Sequence, residues 1–366
     1  MEKRILILTA SYGEGHNAAA RGLRDGLATV SGGTAVVEMH DLFAETFGFV
    51  NDWIRKVYLT VINRAPRPWS RFYKWLDRQE EYGSHMRWLF AVKARLNQLL
   101  LRFQPTAVVS VFPAYPHLLE TTFGGVKPPF WQVVCVTDSI TVNAIWYRCR
   151  SDLFLVPNEQ SAATLAKAGV PNEKVRVSGF PVSPKFVELG ELRQLPEARG
   201  GFRILYVINA GGRAASEVIG GLSKIANVKL TVTVGRDEVL RRAVEALRGE
   251  IRREFEIIGW TDQLPRLMLE SHLLISKAGG ATVQETIAAK CPMIINQVVP
   301  GQEEGNARLI AETRSGVVAT TPEAIVVAVE QAFADDARLW REWSANISRL
   351  SRPRASLEIA ELLLAL

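Results

Sequence analysis

Four short clusters of glycine, acid, amide and imidazole residues each follow an apolar run in this 366-residue chain. The first is Gly13-Glu14-Gly15-His16. Glycines let backbone amides approach a ligand closely, and a helix start favours negative charge. An imidazole placed there titrates near neutral pH and could take a proton from an attacking hydroxyl. The plainer alternative is a tight turn capped by the histidine. Thr137-Asp138 comes next, closing the run WQVVCVTD. Asp138 could orient His16, bind an acceptor or serve as the base itself, and it could equally be a turn former or helix cap. His16 and Asp138 are therefore the two candidate catalytic groups.

The third cluster, Asn209-Ala210-Gly211-Gly212-Arg213, offers a glycine pair and a cation where a diphosphate could sit, although it is neither a GxGxxG nor a Walker sequence. The fourth is the densest: SKAGGATVQETIAAKCPMIINQVVPGQEEGNARLI, from Ser276 to Ile310. Here a Gly279-Gly280 turn leads through Thr282 to Glu285, whose carboxylate can accept two hydrogen bonds from a ribose diol. A second polar loop then presents Gln302, Glu303 and Asn306, which can hold sugar hydroxyls. A helix with ordinary surface acids is the alternative.

These clusters need rigid elements behind them. Short β-branched runs bounded by glycine and proline read as buried parallel strands, with helical patterns after them. The expected strands in the first half are Arg4 to Leu8, Thr34 to Glu38, Ala107 to Val111, Trp131 to Thr137, Leu153 to Val156 and Val175 to Ser178. GFPVSPKF cannot continue either kind of element and marks a domain boundary. A second α/β succession follows, with strands at Phe202 to Ile208 and within LTVTVG, FEIIGW, LLISKAGG and MIINQVVPG. From Pro322 onward the pattern is helical, broken at Pro353. The expected division is 1–180, 181–345 and a helix over 346–366 that could pack back on the first domain. Ligands of open α/β sheets collect beyond the carboxyl ends of the strands, where all four clusters lie.

Length and composition suit two folded domains: 48% hydrophobic and 22% charged residues leave no room for a disordered or collagen-like class. Cys135, Cys149 and Cys291 form no CxxC pattern, which argues against a zinc site or disulfide framework. MEKRILILTASYG holds an apolar run too short for a signal peptide or a membrane span, so a cytoplasmic protein is expected. The net charge of +6 is concentrated: residues 50–105 carry eleven Arg or Lys against four acids, a surplus of seven. Trp53, Trp69, Trp75 and Trp88 lie in the same stretch beside Arg71. Aromatic rings at headgroup depth and cations worth about 1 kcal/mol each suit an anionic membrane surface. A packed helical subdomain with solvated arginines is the other reading, and nucleic-acid binding ranks last because no compact recognition motif accompanies the charge.

At LTASYGEGHNAAARGL, at VTDSITVNAIWYRCRSDLFLVPNEQSAATLAKAGVPNEKVRVSGFPVSPKF and at ISKAGGATVQETIAAKCPMIINQVVPGQEEGN, the chain resembles the monogalactosyldiacylglycerol synthase and processive diacylglycerol glucosyltransferase family. That family is kin to the peptidoglycan glycosyltransferase that makes lipid II. The resemblance implies a GT-B fold, two Rossmann-like domains facing across a cleft, with the acceptor and membrane on the first and the nucleotide sugar on the second. It places His16 near the reacting centre with Gly13, Glu14 and Gly15 in its loop. Glu285 takes the donor ribose, Gly279 and Gly280 the phosphates, Gln302 with Glu303 the sugar, and Gly259, Trp260 and Thr261 the nucleobase. Gly211 and Gly212 match a longer glycine run only in part. Family members commonly carry a histidine shortly before the tryptophan equivalent to Trp146; Asn143 stands there in this chain.

The implied reaction is inverting transfer of galactose or glucose from a UDP-sugar to diacylglycerol or a related lipid at the cytoplasmic membrane face. UDP-sugar would be substrate, with no separate cofactor and no metal, since no DxD pair lies near a strand end. Three other readings stand beside it: a transferase with a soluble acceptor, a UDP-sugar 2-epimerase, and a sugar-nucleotide-binding regulator without catalysis.

Overall fold

The computed structural model describes residues 2–49, 89–140, 142–193, 195–196, 201–209, 212–251, 254–299 and 303–366. The chain forms two compact units. One comprises Met1–Pro184, Val299–Gly305 and Arg354–Leu366; the other comprises Lys185–Val298 and Asn306–Pro353.

The first unit is built on six parallel strands: β1 (Arg4–Leu8), β2 (Val36–His40), β3 (Ala107–Ser110), β4 (Trp131–Cys135), β5 (Leu153–Val156) and β6 (Val175–Val177). Their order is β2-β1-β3-β4-β5-β6. Ile5 to Leu8 are wholly buried, as expected for a central strand covered on both faces. The second strand lies two residues later than the apolar pattern suggested, because its register is set by pairing Arg4 with Val36 and Leu8 with His40. Helix α1 (Glu14–Ser31) follows β1 and buries Ala19, Ala20, Leu23 and Leu27, a stripe of helical period. It ends at Gly32 in the left-handed conformation (φ 56°), which a residue without a side chain adopts at low cost. Helices α2 (Leu42–Phe47), α3 (Phe90–Phe103), α4 (Ala114–Phe123) and α5 (Glu159–Lys167) complete the layers described in this unit.

In the second unit the strands are β7 (Phe202–Val207), β8 (Val228–Gly235), β9 (Glu256–Gly259), β10 (Leu273–Lys277), β11 (Met293–Gln297) and β12 (Gly316–Val318). They are again parallel, in the order β12-β11-β10-β7-β8-β9. Strand β12, three residues pairing with Met293 to Ile295, has no counterpart in the sequence expectation. Helices α6 (Lys185–Glu188), α7 (Gly212–Leu222), α8 (Glu238–Ala246), α9 (Leu264–Glu270), α10 (Gly280–Ala288) and α11 (Glu304–Glu312) alternate with these strands. The next helix, α12 (Pro322–Leu350), is two helical runs meeting at a kink over Ala334 to Ala337, where Asp335, Asp336 and Ala337 have positive φ. Trp340 and Trp343 beyond the kink are buried in the core formed with Ile204, Val218 and Ile275.

Helix α13 (Ala355–Ala365) belongs to the first unit and packs along α1. A Cβ at Gly26 would come within 2.5 Å of the Ser356 carbonyl oxygen, and one at Gly22 would collide with the Pro181 carbonyl. Two glycines one turn apart thus let α1 accept both segments at backbone contact.

Candidate active site

Strand order reverses between β1 and β3 in the first unit, which makes the carboxyl ends of those strands a topological switch point. His16 sits there, on the first turn of α1. Gly13 is the N-cap, makes no side-chain cap bond, and would meet no atom within 4 Å if it carried a Cβ, so the loop leaves free space at the helix start. The loop is fixed from behind. Tyr115 donates its hydroxyl to the Thr9 carbonyl (2.7 Å) and accepts from the Leu42 amide (3.0 Å). Asp41 accepts from the Ser11 amide (2.8 Å) while capping α2 through the Ala44 amide. Thr9 and Ser11 are bridged by Asn17.

The imidazole of His16 is partly buried between aromatic rings, Phe112 edge-on at 5.1 Å and Trp146 at 5.9 Å between centroids. Its Nδ1 lies 2.8 Å from the Val111 carbonyl oxygen, just past β3, and 3.1 Å from Thr137 Oγ1, just past β4. A carbonyl can only accept, so Nδ1 carries the ring proton and Nε2 the lone pair. Burial pushes the imidazole down to about 4, opposed by the Val111 hydrogen bond, and the group is neutral at pH 7.

Asp138 does not reach His16 as its orienting acid. Its Oδ2 accepts the indole N–H of Trp146 at 2.9 Å, and Trp146 is almost fully buried. Asn143 is a helical cap: its Oδ1 accepts the Ile145 amide (3.1 Å) at the start of the turn that carries Trp146. His117 supports the same turn by donating from Nε2 to the Ile145 carbonyl at 2.8 Å. Past Asp138, Ile140 adopts φ 61°, an uncommon conformation for a β-branched residue. Its amide and carbonyl are tied to Ser161 and Thr164 of α5. Glu14, by contrast, is solvent-facing and lies 3.7 Å from Arg21.

In the second unit the order reverses between β7 and β10. Asn209 spans that point, donating from Nδ2 to the Val207 carbonyl and to Ser276 Oγ, both at 2.9 Å. Gly279 caps α10, Gly280 is its first residue, and Glu285 lies partly exposed on the same helix with Thr282 one turn earlier. Asn306 on α11 donates to the Ala278 carbonyl (3.0 Å) and so fixes the turn before Gly279, while its Oδ1 has no hydrogen-bond partner among the described residues. Gly212 begins α7, where Arg213 is exposed and paired with Glu217 at 3.2 Å.

At the ends of β8 and β9, the Arg236 guanidinium lies 4.6 Å over the ring of Trp260, which is 63% exposed. Gly259 closes β9, and Thr261 Oγ1 accepts the Gln263 amide. Glu303 is buried and turns back on its own loop, accepting from the Val299 amide at 3.0 Å. Gly211, Gln302 and the aromatic-basic residues Trp53, Trp69, Arg71, Trp75 and Trp88 lie outside the described residues. Among the described residues no helix is long and apolar enough to cross a membrane.

Residues 16–182 match the family model for monogalactosyldiacylglycerol (MGDG) synthase, and residues 212–339 match the glycosyltransferase family 28 C-terminal domain. A processive diacylglycerol β-glucosyltransferase from Bacillus subtilis is 26% identical over 368 residues, covering 98% of this chain and 94% of that protein. Among solved structures, the MnaA–UDP complex of S. aureus superposes with a TM-score of 0.62 at 14% identity, over 98% of this chain and 95% of that one. MurG from Acinetobacter baumannii gives 0.60 at 14% identity over the whole of both chains. Two parallel six-stranded α/β units and this pair of domain matches define a glycosyltransferase of the GT-B fold. Within that class the first domain matches the monogalactosyldiacylglycerol synthase model, and the chain is similar in sequence to the processive diacylglycerol glucosyltransferases.

Proposed function

We propose that the protein transfers a hexosyl group, galactose or glucose, from a UDP-sugar to the hydroxyl of diacylglycerol or a closely related membrane lipid, with inversion. The observation that carries this reading is the neutral His16 at the switch point of an MGDG synthase-type domain, in a chain whose other domain matches a glycosyltransferase family. Glu285 holds the donor ribose, and the amides at the start of α10 meet the diphosphate. His16 Nε2 takes the acceptor hydroxyl proton as the oxygen's electron pair forms the bond to the anomeric carbon. The bond to the diphosphate oxygen breaks with its pair leaving on UDP. UDP-sugars carry the diphosphate in the α configuration, so one displacement yields a β-glycoside, the linkage in the name of the Bacillus subtilis relative.

No separate cofactor takes part in this reading, and the acceptor is met at an anionic membrane surface on the cytoplasmic side. Phe49, just before the aromatic-basic stretch, and Phe90 within it are 84% and 75% exposed and support that placement. The test is incubation of purified protein with UDP-glucose or UDP-galactose and vesicles containing diacylglycerol, following UDP release and the mass of the lipid product. Lipid-dependent UDP release with a hexosyl lipid is the expected result. UDP release without lipid would favour a soluble acceptor or an epimerase, and tight UDP binding without turnover would favour a regulator.

A further inference from the structure

Resting on the transfer reaction proposed above, we infer that Thr137 is the positioning residue for His16, holding the ring so that Nε2 is the nitrogen offered to the acceptor hydroxyl. Residues 137 and 138 follow β4 consecutively, and their side chains go to different partners. Thr137 Oγ1 reaches His16 Nδ1 at 3.1 Å, whereas Asp138 reaches the Trp146 indole at 2.9 Å. The acid that the sequence suggests as the histidine's partner is thus committed elsewhere, and its neighbour takes the place.

Two oxygens from loops after adjacent strands, the Val111 carbonyl and the Thr137 hydroxyl, converge on one ring nitrogen. A single acceptor would leave the ring free to swing about it. Two acceptors on different elements, with Phe112 against one edge and Trp146 nearby, define its direction. Turning the ring over would set a C–H against both oxygens and lose both contacts. Thr137 is only 6% exposed, so its hydroxyl does not exchange this contact freely for water.

Both acceptors are uncharged. A carboxylate in the same place would draw a proton onto the imidazole, as an adjacent acid does in a histidine–aspartate pair. The carbonyl selects the tautomer, the hydroxyl accepts a share of the same N–H, and the ring is left a neutral proton acceptor. When Nε2 takes the acceptor proton, the ring keeps its Nδ1 proton against these same oxygens, so no second proton transfer is required.

The experiment compares Thr137→Val, which keeps the shape and removes the hydroxyl, with Thr137→Ser, which keeps the hydroxyl. Nitrogen-15 NMR of the imidazole in resting protein reads the tautomer and whether the ring holds one orientation, and steady-state kinetics with diacylglycerol vesicles reads kcat and the donor KM. Wild type and Thr137→Ser are expected to hold the Nδ1–H form with one sharp set of ring signals and similar kcat. Thr137→Val is expected to keep the Nδ1–H form, because the Val111 carbonyl remains, but to show shifted or broadened ring signals as the ring reorients, and to lose about tenfold in kcat with the donor KM unchanged, the worth of one hydrogen bond. A Thr137→Val protein with wild-type ring signals and kcat overturns the assignment. So does a loss of kcat with unchanged ring signals, or a Thr137→Ser protein as impaired as the valine variant. The ring signals are read without substrate, so an inactive wild type would count against the proposed transfer and leave this assignment to the NMR result.

Discussion

The indole N–H of Trp146 donates to Asp138 across 2.9 Å, and the same ring lies 5.9 Å from the imidazole of His16. The carboxylate is therefore engaged with a buried donor, while His16 keeps Nε2 without a hydrogen-bond partner among the described residues. This separates two groups that stand as equals in the sequence. His16→Ala is expected to lower kcat by about 10²–10³-fold, within the usual range for removal of a general base. Asp138→Asn keeps an oxygen that can accept the indole N–H, and is expected to cost less than about tenfold. A reversed order of severity would make Asp138 the base.

Acid should act on both catalysis and stability, through the same titration. The kcat/KM for transfer is expected to hold from neutral pH downward and to fall as pH passes through about 4, where His16 becomes an imidazolium and can no longer accept a proton. His272, whose Nδ1 accepts the Arg203 amide at 3.0 Å, is likewise held down to about 4 by burial, with Arg203 and Arg193 adding to the effect. Above pH 6.5 both rings are neutral folded and unfolded. Between 6.5 and 4 the unfolded chain binds protons that the folded chain does not, so stability falls as pH drops through that window. Thermal melting followed from pH 7.5 to 4 should show the decline, and a flat profile would contradict it.

Glu285 offers a charged acceptor on α10, within two turns of the Gly279 cap. Replacing it with alanine is expected to weaken UDP-sugar binding by about 10–100-fold, the worth of hydrogen bonds to a charged group, with a smaller effect on kcat. Calorimetric titration with UDP measures the binding directly. Unchanged UDP affinity would remove the carboxylate from the donor site.

Gly26 has no room for a side chain, since a Cβ would stand 2.5 Å from the Ser356 carbonyl. Gly26→Val is expected to destabilise the first unit by about 1–3 kcal/mol through overpacking. Urea unfolding compared with a control at Gly33, where a Cβ would meet nothing within 4 Å but the positive φ adds its own strain, separates crowding from backbone cost. Equal losses at the two sites would argue that the close approach is not what matters.

Vesicle flotation tests the membrane reading. Binding to vesicles with anionic lipid, weakened by salt, is expected for wild type. Arg71→Glu combined with Lys74→Glu should reduce it by about tenfold or more, at roughly 1 kcal/mol per basic side chain near the surface. Failure to float at any salt concentration would sink the docking surface.

Much of this architecture was legible in local sequence because it is written in local terms. Buried parallel strands such as Ile5 to Leu8 or Leu273 to Ser276 are uninterrupted apolar runs, and the Gly279-Gly280 turn announces its own helix. Strand β12 was not legible: three residues beginning with a glycine become a strand only because Met293 to Ile295 offer a free edge. The kink at Ala334 to Ala337 left no glycine or proline as a sign. At the site, His16 and the Asp138 position could be picked out by residue type, but their partners could not. Tyr115 reaches the Thr9 carbonyl from 106 residues away, and Thr137 reaches His16 from 121 residues away. Such pairings depend on strand order. Choosing between Thr137 and Asp138 needed the direction in which each side chain leaves the backbone.

Helix α13 gives the protein an order of assembly during synthesis. The helix that bears His16 leaves the ribosome long before α13, and the surface offered by Gly26 stays uncovered until residues 355–365 have been translated. Nascent chains stalled before that point should therefore hold an unfinished leading half, open to chaperones and proteases, even when the trailing half has already folded.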